Sequence, residues 1–160
     1  MEMREMKVLV AYHSLYGNTR LVAEAIGDQV KREGHEVKVQ SVMDGLPGTL
    51  DYDVMFVGSP TRIAKATGPV KRFVKNLAKS SWGNKPVVFF DTILPGVLEK
   101  TGRWSGTASQ KLSELASERG LSPHATVIHS TVIDVKGPLE NDALDKAKAS
   151  AHEILVALWK

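Results

Sequence analysis

Apolar residues in this chain form short continuous runs that alternate with stretches in which they recur every three or four positions. A continuous run is typical of a strand buried on both faces, and the recurring spacing is typical of a helix with one buried face. The runs predict five strands, at residues 7–13, 37–42, 53–58, 86–90 and 126–135. The recurring spacing predicts four helices, at residues 18–33, 68–79, 107–119 and 139–159.

The alternation of strands and helices predicts an α/β fold. Strands separated by helices pair in parallel through right-handed crossovers, and the helices then cover both faces of the sheet. We therefore expect a single domain over residues 1–160, a three-layer doubly wound sandwich whose five-stranded parallel sheet has the order 2-1-3-4-5. Ligands of such sheets bind beyond the carboxyl ends of strands where the winding reverses, which selects the loops 14–19, 59–67 and 91–105.

The first of these loops, Ser14-Leu15-Tyr16-Gly17-Asn18-Thr19, joins a buried strand to a helix and is rich in hydroxyl and amide groups. The first N–H groups of a helix have no intrahelical acceptor and carry partial positive charge, so this turn favours an anion. Gly17 lets the backbone approach the anion closely. The alternative is that Ser14 or Asn18 merely caps the helix. Because the loop has no Lys and both the Walker and dinucleotide fingerprints are absent, a single terminal phosphate suits it best.

Composition narrows the classes of function. The chain has 160 residues, no Cys and a net charge of +3, which excludes disulfides and thiolate catalysis and fits a cytoplasmic location. No apolar run approaches the ~18 residues that span a membrane, so we expect no membrane association, and the first residues do not resemble a secretion signal. Basic residues cluster in the middle third, but they do not form the dense basic stripe interleaved with aromatic residues that nucleic-acid binding calls for. We therefore expect no nucleic-acid partner, and the cluster is either a solvated helix face or a docking patch for an acidic partner.

Two of the predicted ligand loops carry motifs of a known family. The segment Ser14–Thr19 resembles the [ST]-x-[TY]-G-x-[TS] phosphate loop of the flavodoxin superfamily, and Gly58-Ser59-Pro60-Thr61-Arg62 is similar to the G-S-P-T-R of flavodoxin-like NAD(P)H:quinone reductases. The order of elements resembles this superfamily along the whole chain. The resemblance implies an FMN cofactor and a redox function.

The resemblance also implies roles for individual residues. The FMN phosphate would be held by the first loop, with Ser14, Leu15, Tyr16, Gly17, Asn18 and Thr19. The isoalloxazine would lie between Ser59, Pro60, Thr61, Arg62 and Ile63 on one side and Asp91, Thr92 and Trp104 on the other. The five His have no metal-ligand spacing and no residue is a convincing general acid or base, so we expect no metal and no catalytic side chain.

The loop 61–67 departs from the family because it has no aromatic residue and no Gly. Many flavodoxins present a carbonyl to the reduced flavin here through a residue with positive φ. We expect Ile63 and Ala64 to resist that conformation by ~1 kcal/mol or more. Trp104, the aromatic residue of the third loop, is expected either to stack on the flavin or to anchor the following helix.

Charge is a further departure. Shuttle flavodoxins are typically acidic, whereas Arg62, Lys65 and Arg103 would flank the flavin in this chain. A cation close to the reduced ring favours its negative charge. We therefore expect a higher two-electron potential than that of acidic flavodoxins.

Three functions remain open. The first is an FMN-binding flavodoxin-like protein that carries electrons between redox partner proteins, with partners that present an acidic docking face. The second is an FMN-dependent NAD(P)H:quinone reductase, although the chain lacks the insertions that build the tetramers of such enzymes. The third is a flavodoxin-fold binding module without flavin, which the lack of an aromatic residue in 61–67 favours.

Overall fold

The computed structural model describes residues 4–159. The strands are β1 (Lys7–Tyr12), β2 (Glu36–Ser41), β3 (Val54–Pro60), β4 (Pro86–Ile93), β5 (Ser122–Pro123) and β6 (Ile128–Thr131). The helices are α1 (Asn18–Arg32), α2 (Gly68–Ala78), α3 (Ala108–Glu118) and α4 (Ala143–Trp159). The strands pair in parallel in the order β2-β1-β3-β4, with β5 and β6 both beside β4. The predicted α/β sandwich and its 2-1-3-4-5 order are confirmed.

Each central strand contributes side chains to two hydrophobic cores, one on each face of the sheet, because successive side chains point to opposite faces. In β4, Phe89 belongs to the core under α2 and α3, and Phe90 belongs to the core under α1 and α4. Burial on both faces explains the continuous apolar runs of the sequence. Among residues 4–159, no helix combines the length and the apolar composition that crossing a membrane requires.

The fifth strand position differs from the prediction of one strand at 126–135. Two short segments occupy it, with β5 paired to the start of β4 and β6 paired to its end. After β6 the chain turns, because Val132 pairs with Leu139 and the Ile133 N–H donates to the Pro138 carbonyl at 2.8 Å. The same pairing delays the last helix, which begins at Ala143 rather than at 139.

Strand β4 continues three residues beyond its predicted end at Phe90, to Ile93. The extension is paired on both sides, since Thr92 aligns with Pro60 of β3 and Ile93 aligns with Thr131 of β6. Asp91 and Thr92 therefore lie in a strand, and the prediction that placed them in the third loop is wrong.

Candidate functional site

A cleft of about 220 Å³ opens at the carboxyl ends of β1, β3 and β4, where the winding of the sheet reverses. Its lining residues are Ser14, Leu15, Tyr16, Asn18 and Thr19, then Pro60, Thr61, Arg62 and Ile63, then Thr92, Ile93 and Leu94, and finally Val132 and Val135. The cleft thus brings together the ends of all three loops that the topology rule selects. Of the predicted site residues, Gly17, Ser59, Asp91 and Trp104 lie outside this lining.

The first loop brings an uncapped helix start to the cleft. Gly17 is the N-cap of α1 and has a φ of 94°, which Gly adopts without strain. Ser14 Oγ accepts from the Gly17 N–H at 2.9 Å, ahead of the helix, and no side chain of residues 4–159 caps α1. Asn18 donates from Nδ2 to the Lys136 carbonyl at 3.2 Å. The capping alternative is therefore wrong, and the first N–H groups of α1 are left to attract an anion.

Ser59 joins the two ends of the second loop through hydrogen bonds. Its side chain is fully buried, and its Oγ accepts from the Thr67 N–H at 3.1 Å and donates to the Pro60 carbonyl at 2.8 Å. Thr61 is fixed in turn by its N–H, which donates to the Thr92 carbonyl, and by its Oγ1, which accepts from the Ala108 N–H. The hydrogen bonds of Thr61 fix its position in the lining of the cleft. The hydrogen bonds of Ser59 hold the backbone of the second loop, and Ser59 itself does not line the cleft.

The turn at Arg62–Lys65 has the backbone conformation that the sequence analysis expected to be costly. Arg62 and Lys65 exchange two backbone hydrogen bonds, of 2.8 and 3.0 Å, and the two residues between them have positive φ, 51° at Ile63 and 63° at Ala64. This pattern is that of a type I′ hairpin turn, which normally contains Asn or Gly. Ile63 and Ala64 therefore adopt the positive φ that the sequence analysis expected them to resist, because closing the two-residue turn requires this conformation, and its expected cost stays a prediction.

Thr92 and Asp91 lie next to each other on β4 but point to opposite faces of the sheet. Thr92 lines the cleft, where its Oγ1 lies 3.1 Å from Thr19 Oγ1. Asp91 is fully buried on the α3 side, where its carboxylate accepts from Ser109 N–H at 2.8 Å and Ser109 Oγ at 2.6 Å. His129 Nδ1 lies 2.7 Å from its other oxygen, and the hydrogen bond to Asp91 raises the pKa of His129. Asp91 therefore joins β4, β6 and α3 beneath the cleft.

Trp104 lies in a short 3₁₀ turn, Gly102–Trp104, within the third loop. Its side chain is 51% exposed, and the Arg103 guanidinium carbon lies 5.2 Å from its ring centroid. The expectation that Trp104 anchors α3 is wrong, because Trp104 is half exposed and belongs to neither hydrophobic core of residues 4–159, and the helix start is instead held by a capping box between Thr107 and Gln110. Stacking of Trp104 on a flavin stays a prediction.

Four apolar lining residues are not named by the sequence analysis: Ile93 and Leu94, which lie within the predicted ligand loop 91–105, and Val132 and Val135, which lie outside all three predicted loops. They belong to the end of β4 and to the segment that follows β6. The same rule that selects the carboxyl ends of β1, β3 and β4 could have included the end of the fifth strand position, since it meets the same edge of the sheet.

The cleft carries positive charge. Arg62 lines it, and no carboxylate does so within the part of the chain that the structure describes. Lys65 is exposed in the same turn, and Lys136 Nζ lies 6.0 Å from the centroid of the Tyr16 ring. The arrangement favours an anionic ligand both at the helix start and at the second loop.

Comparisons with known proteins agree with this architecture. An archaeal flavodoxin structure is 25% identical, with a TM-score of 0.75 over 96% of this chain and 99% of its own. Flavodoxin 1 from Bacillus cereus is 19% identical, with a TM-score of 0.73 over 94% and 97% of the two chains. A WrbA-like flavodoxin from Agrobacterium tumefaciens is 18% identical, with a TM-score of 0.71 over 96% and 98%.

A family model also identifies the sequence. The model, described as a flavodoxin domain, matches residues 9–118. The match includes the first two loops of the cleft, the strands β3 and β4, and the helix α3. The chain therefore belongs to the flavodoxin family.

Proposed function

We propose that this chain binds FMN in the cleft and carries electrons between redox partner proteins. The observation that carries the proposal is the uncapped start of α1, which stands beside the cleft with Ser14, Asn18 and Thr19 around it. Such a helix start favours a phosphate, and this loop contains no Lys that a di- or triphosphate would call for. Membership of the flavodoxin family supports FMN as the molecule that brings the phosphate.

The residues of the cleft fit FMN in chemistry as well as in position. The first loop, with Ser14, Tyr16, Gly17, Asn18 and Thr19, would hold the phosphate through neutral donors. Pro60, Thr61, Arg62 and Ile63 would line one side of the ring system, and the apolar residues Ile93, Leu94, Val132 and Val135 would supply further contacts. Bound FMN supplies one- and two-electron redox chemistry. The chain contributes binding, exclusion of water and the positive charge of Arg62, which stabilises a negative charge on the reduced ring.

The surface around the cleft supports a partner with an acidic docking face. Four of the apolar side chains that line the cleft are also exposed to solvent: Leu15, Tyr16, Ile63 and Val135. The cations Arg62, Lys65 and Lys136 stand among them, with Asp134 as the neighbouring carboxylate. An exposed apolar patch surrounded by predominantly positive charge is typical of a docking surface, and the charge steers an acidic partner.

An FMN titration tests the cofactor. Thr19→Ala should weaken FMN binding by about 1.5–3 kcal/mol, the range of a hydrogen bond to a charged group. Thr49→Ala, an exposed Thr outside the cleft, serves as the control and should leave the affinity unchanged. A wild-type protein that binds no FMN would refute the cofactor, and equal affinities for wild type and Thr19→Ala would refute the placement of the phosphate.

Electron transfer to protein partners tests the role. Reduced acidic ferredoxin should reduce the oxidised, FMN-loaded protein at a rate that falls as salt screens the attraction, whereas the rate at which basic cytochrome c oxidises the reduced protein should rise with salt. Lys65→Glu should slow the reaction with ferredoxin. Lys79→Glu makes the same charge change just after the end of α2, at the opposite end of the sheet strands, and should leave the rate with ferredoxin unchanged. Rapid oxidation of NADH or NADPH with a quinone acceptor would instead support the reductase, and a protein without flavin affinity would support the binding module.

A further inference from the structure

Three buried hydroxyl groups belong to neighbouring elements between the sheet and α1. Thr19 of α1 is 1% exposed, Thr92 of β4 is 5% exposed and Ser130 of β6 is 2% exposed. Thr92 and Ser130 are aligned on neighbouring strands. Both point to the α1 face of the sheet, because Phe90 and Ile128, two residues earlier on each strand, belong to the core under α1 and α4.

The hydrogen bonds of this cluster are incomplete. Thr19 Oγ1 and Thr92 Oγ1 lie 3.1 Å apart and share one hydrogen bond. Ser130 Oγ is buried and has no hydrogen-bond partner within residues 4–159. A buried hydroxyl without a partner lowers stability, and an Ala at this position would avoid that loss. This hydroxyl belongs to the residue aligned with Thr92 on the neighbouring strand, so only the strand spacing separates Ser130 from the Thr19–Thr92 hydrogen bond.

We propose that Ser130, Thr92 and Thr19 form a directed hydrogen-bond chain that turns the Thr19 hydroxyl proton toward the phosphate, with Thr92 and Ser130 as positioning residues. Each hydroxyl has one proton to donate. When Thr19 donates to a phosphate, its oxygen accepts from Thr92. Ser130, which has no other partner among residues 4–159, donates to the Thr92 oxygen, and the Thr92 proton is then directed to Thr19.

The direction of the chain matters because a phosphate only accepts hydrogen bonds. If Thr19 donated to Thr92 instead, a lone pair of the Thr19 oxygen would face the anion and repel it. Successive bonds in one direction polarise one another, which strengthens the last bond at the anion. The chain therefore favours flavins that carry a phosphate over those that do not. This inference rests on the proposed FMN site and concerns how that site recognises the phosphate.

Titrations with FMN and with riboflavin, which lacks the phosphate, test the chain of hydroxyls. Thr92→Val removes the hydroxyl proton and keeps the shape of the side chain. It should weaken FMN binding about tenfold, which corresponds to the lower range for a hydrogen bond to a charged group. The affinity for riboflavin should be unchanged. Thr92→Ser keeps the hydroxyl and should restore FMN binding. Ser130→Ala should weaken FMN binding about threefold, because it removes only the outer donor.

The matched control is Thr131→Val, the same substitution one residue further along β6, where the side chain points to the opposite face. It should bind both flavins as the wild type does. If Thr92→Val weakens FMN and riboflavin binding equally, Thr92 has a merely structural role and the inference is overturned. The inference is also overturned if no variant changes the affinity for FMN. Failure of the wild type to bind either flavin would refute the proposed function itself. Ser130→Ala and Thr92→Ser keep the test decisive if Thr92→Val does not fold, which circular dichroism would reveal.

Discussion

The strained turn at Arg62–Lys65 allows a direct test of the backbone beside the cleft. Ile63 has a φ of 51° and is 70% exposed. A β-branched side chain in this conformation costs about 1–2 kcal/mol of stability, which Gly does not incur. Ile63→Gly should therefore relieve strain at a position where little packing is lost.

The size of the effect follows from three contributions. Relief of strain should stabilise the variant by about 1–2 kcal/mol. The greater freedom of Gly in the unfolded chain should cost roughly 0.5–1 kcal/mol. Full burial of an Ile side chain contributes about 1.5–3 kcal/mol, so losing the covered 30% of Ile63 should cost about 0.5–0.9 kcal/mol. The contributions nearly cancel, and we expect a change in the free energy of unfolding of about zero.

Ile133→Gly is the matched control. Ile133 is also exposed, at 57%, but it is not among the residues with positive φ. Without strain to relieve, the control should lose roughly 0.5–1 kcal/mol through chain freedom and about 0.6–1.3 kcal/mol through its covered surface. We therefore expect Ile133→Gly to lose about 1–2 kcal/mol where Ile63→Gly loses none.

Urea unfolding of both variants, followed by circular dichroism without added flavin, measures these free energies and avoids stabilisation by a ligand. If Ile63→Gly destabilises the protein as much as Ile133→Gly does, then Ile63 is not strained and the turn has another conformation.

Three further predictions concern the surroundings of the cleft. The hydrogen bond to Asp91 raises the pKa of His129 above 6.5, so its contribution to stability is complete below about pH 6.5 and is lost as the pH rises through the raised pKa. His129→Gln should therefore lose more stability relative to wild type at about pH 5.5 than at about pH 9 in urea unfolding, and equal losses would contradict the pairing. Thr107→Ala removes the capping box of α3 and should lower the free energy of unfolding by about 1 kcal/mol, measured in the same way, whereas an unchanged value would place the start of α3 elsewhere. Arg62→Gln should lower the two-electron potential of bound FMN by about 10–20 mV, since an exposed charge is worth about 0.5–1 kcal/mol; a redox titration that gives an equal or higher potential would refute this electrostatic role.

The sequence by itself determined the arrangement of layers and the place of the first loop. Continuous apolar runs can satisfy burial only in strands covered on both faces, and their alternation with helices leaves a parallel sheet as the outcome. The position of Gly17 between a strand and a helix likewise determined where the turn before α1 lies. These features depend on residues that are close in sequence, where spacing and turn chemistry decide the conformation.

Tertiary structure alone decided the features that depend on residues far apart in the chain. β4 extends through Thr92 because β3 and β6 pair with it on both sides. Asp91 lies beneath the cleft because its carboxylate accepts hydrogen bonds from Ser109 and pairs with His129. Val135 reaches the cleft because the chain turns after β6. No local pattern encodes these pairings, since each is selected by burial and hydrogen bonding in the assembled sheet. For the same reason the positive φ of Ile63 runs against its local preference, which closure of the turn overrides.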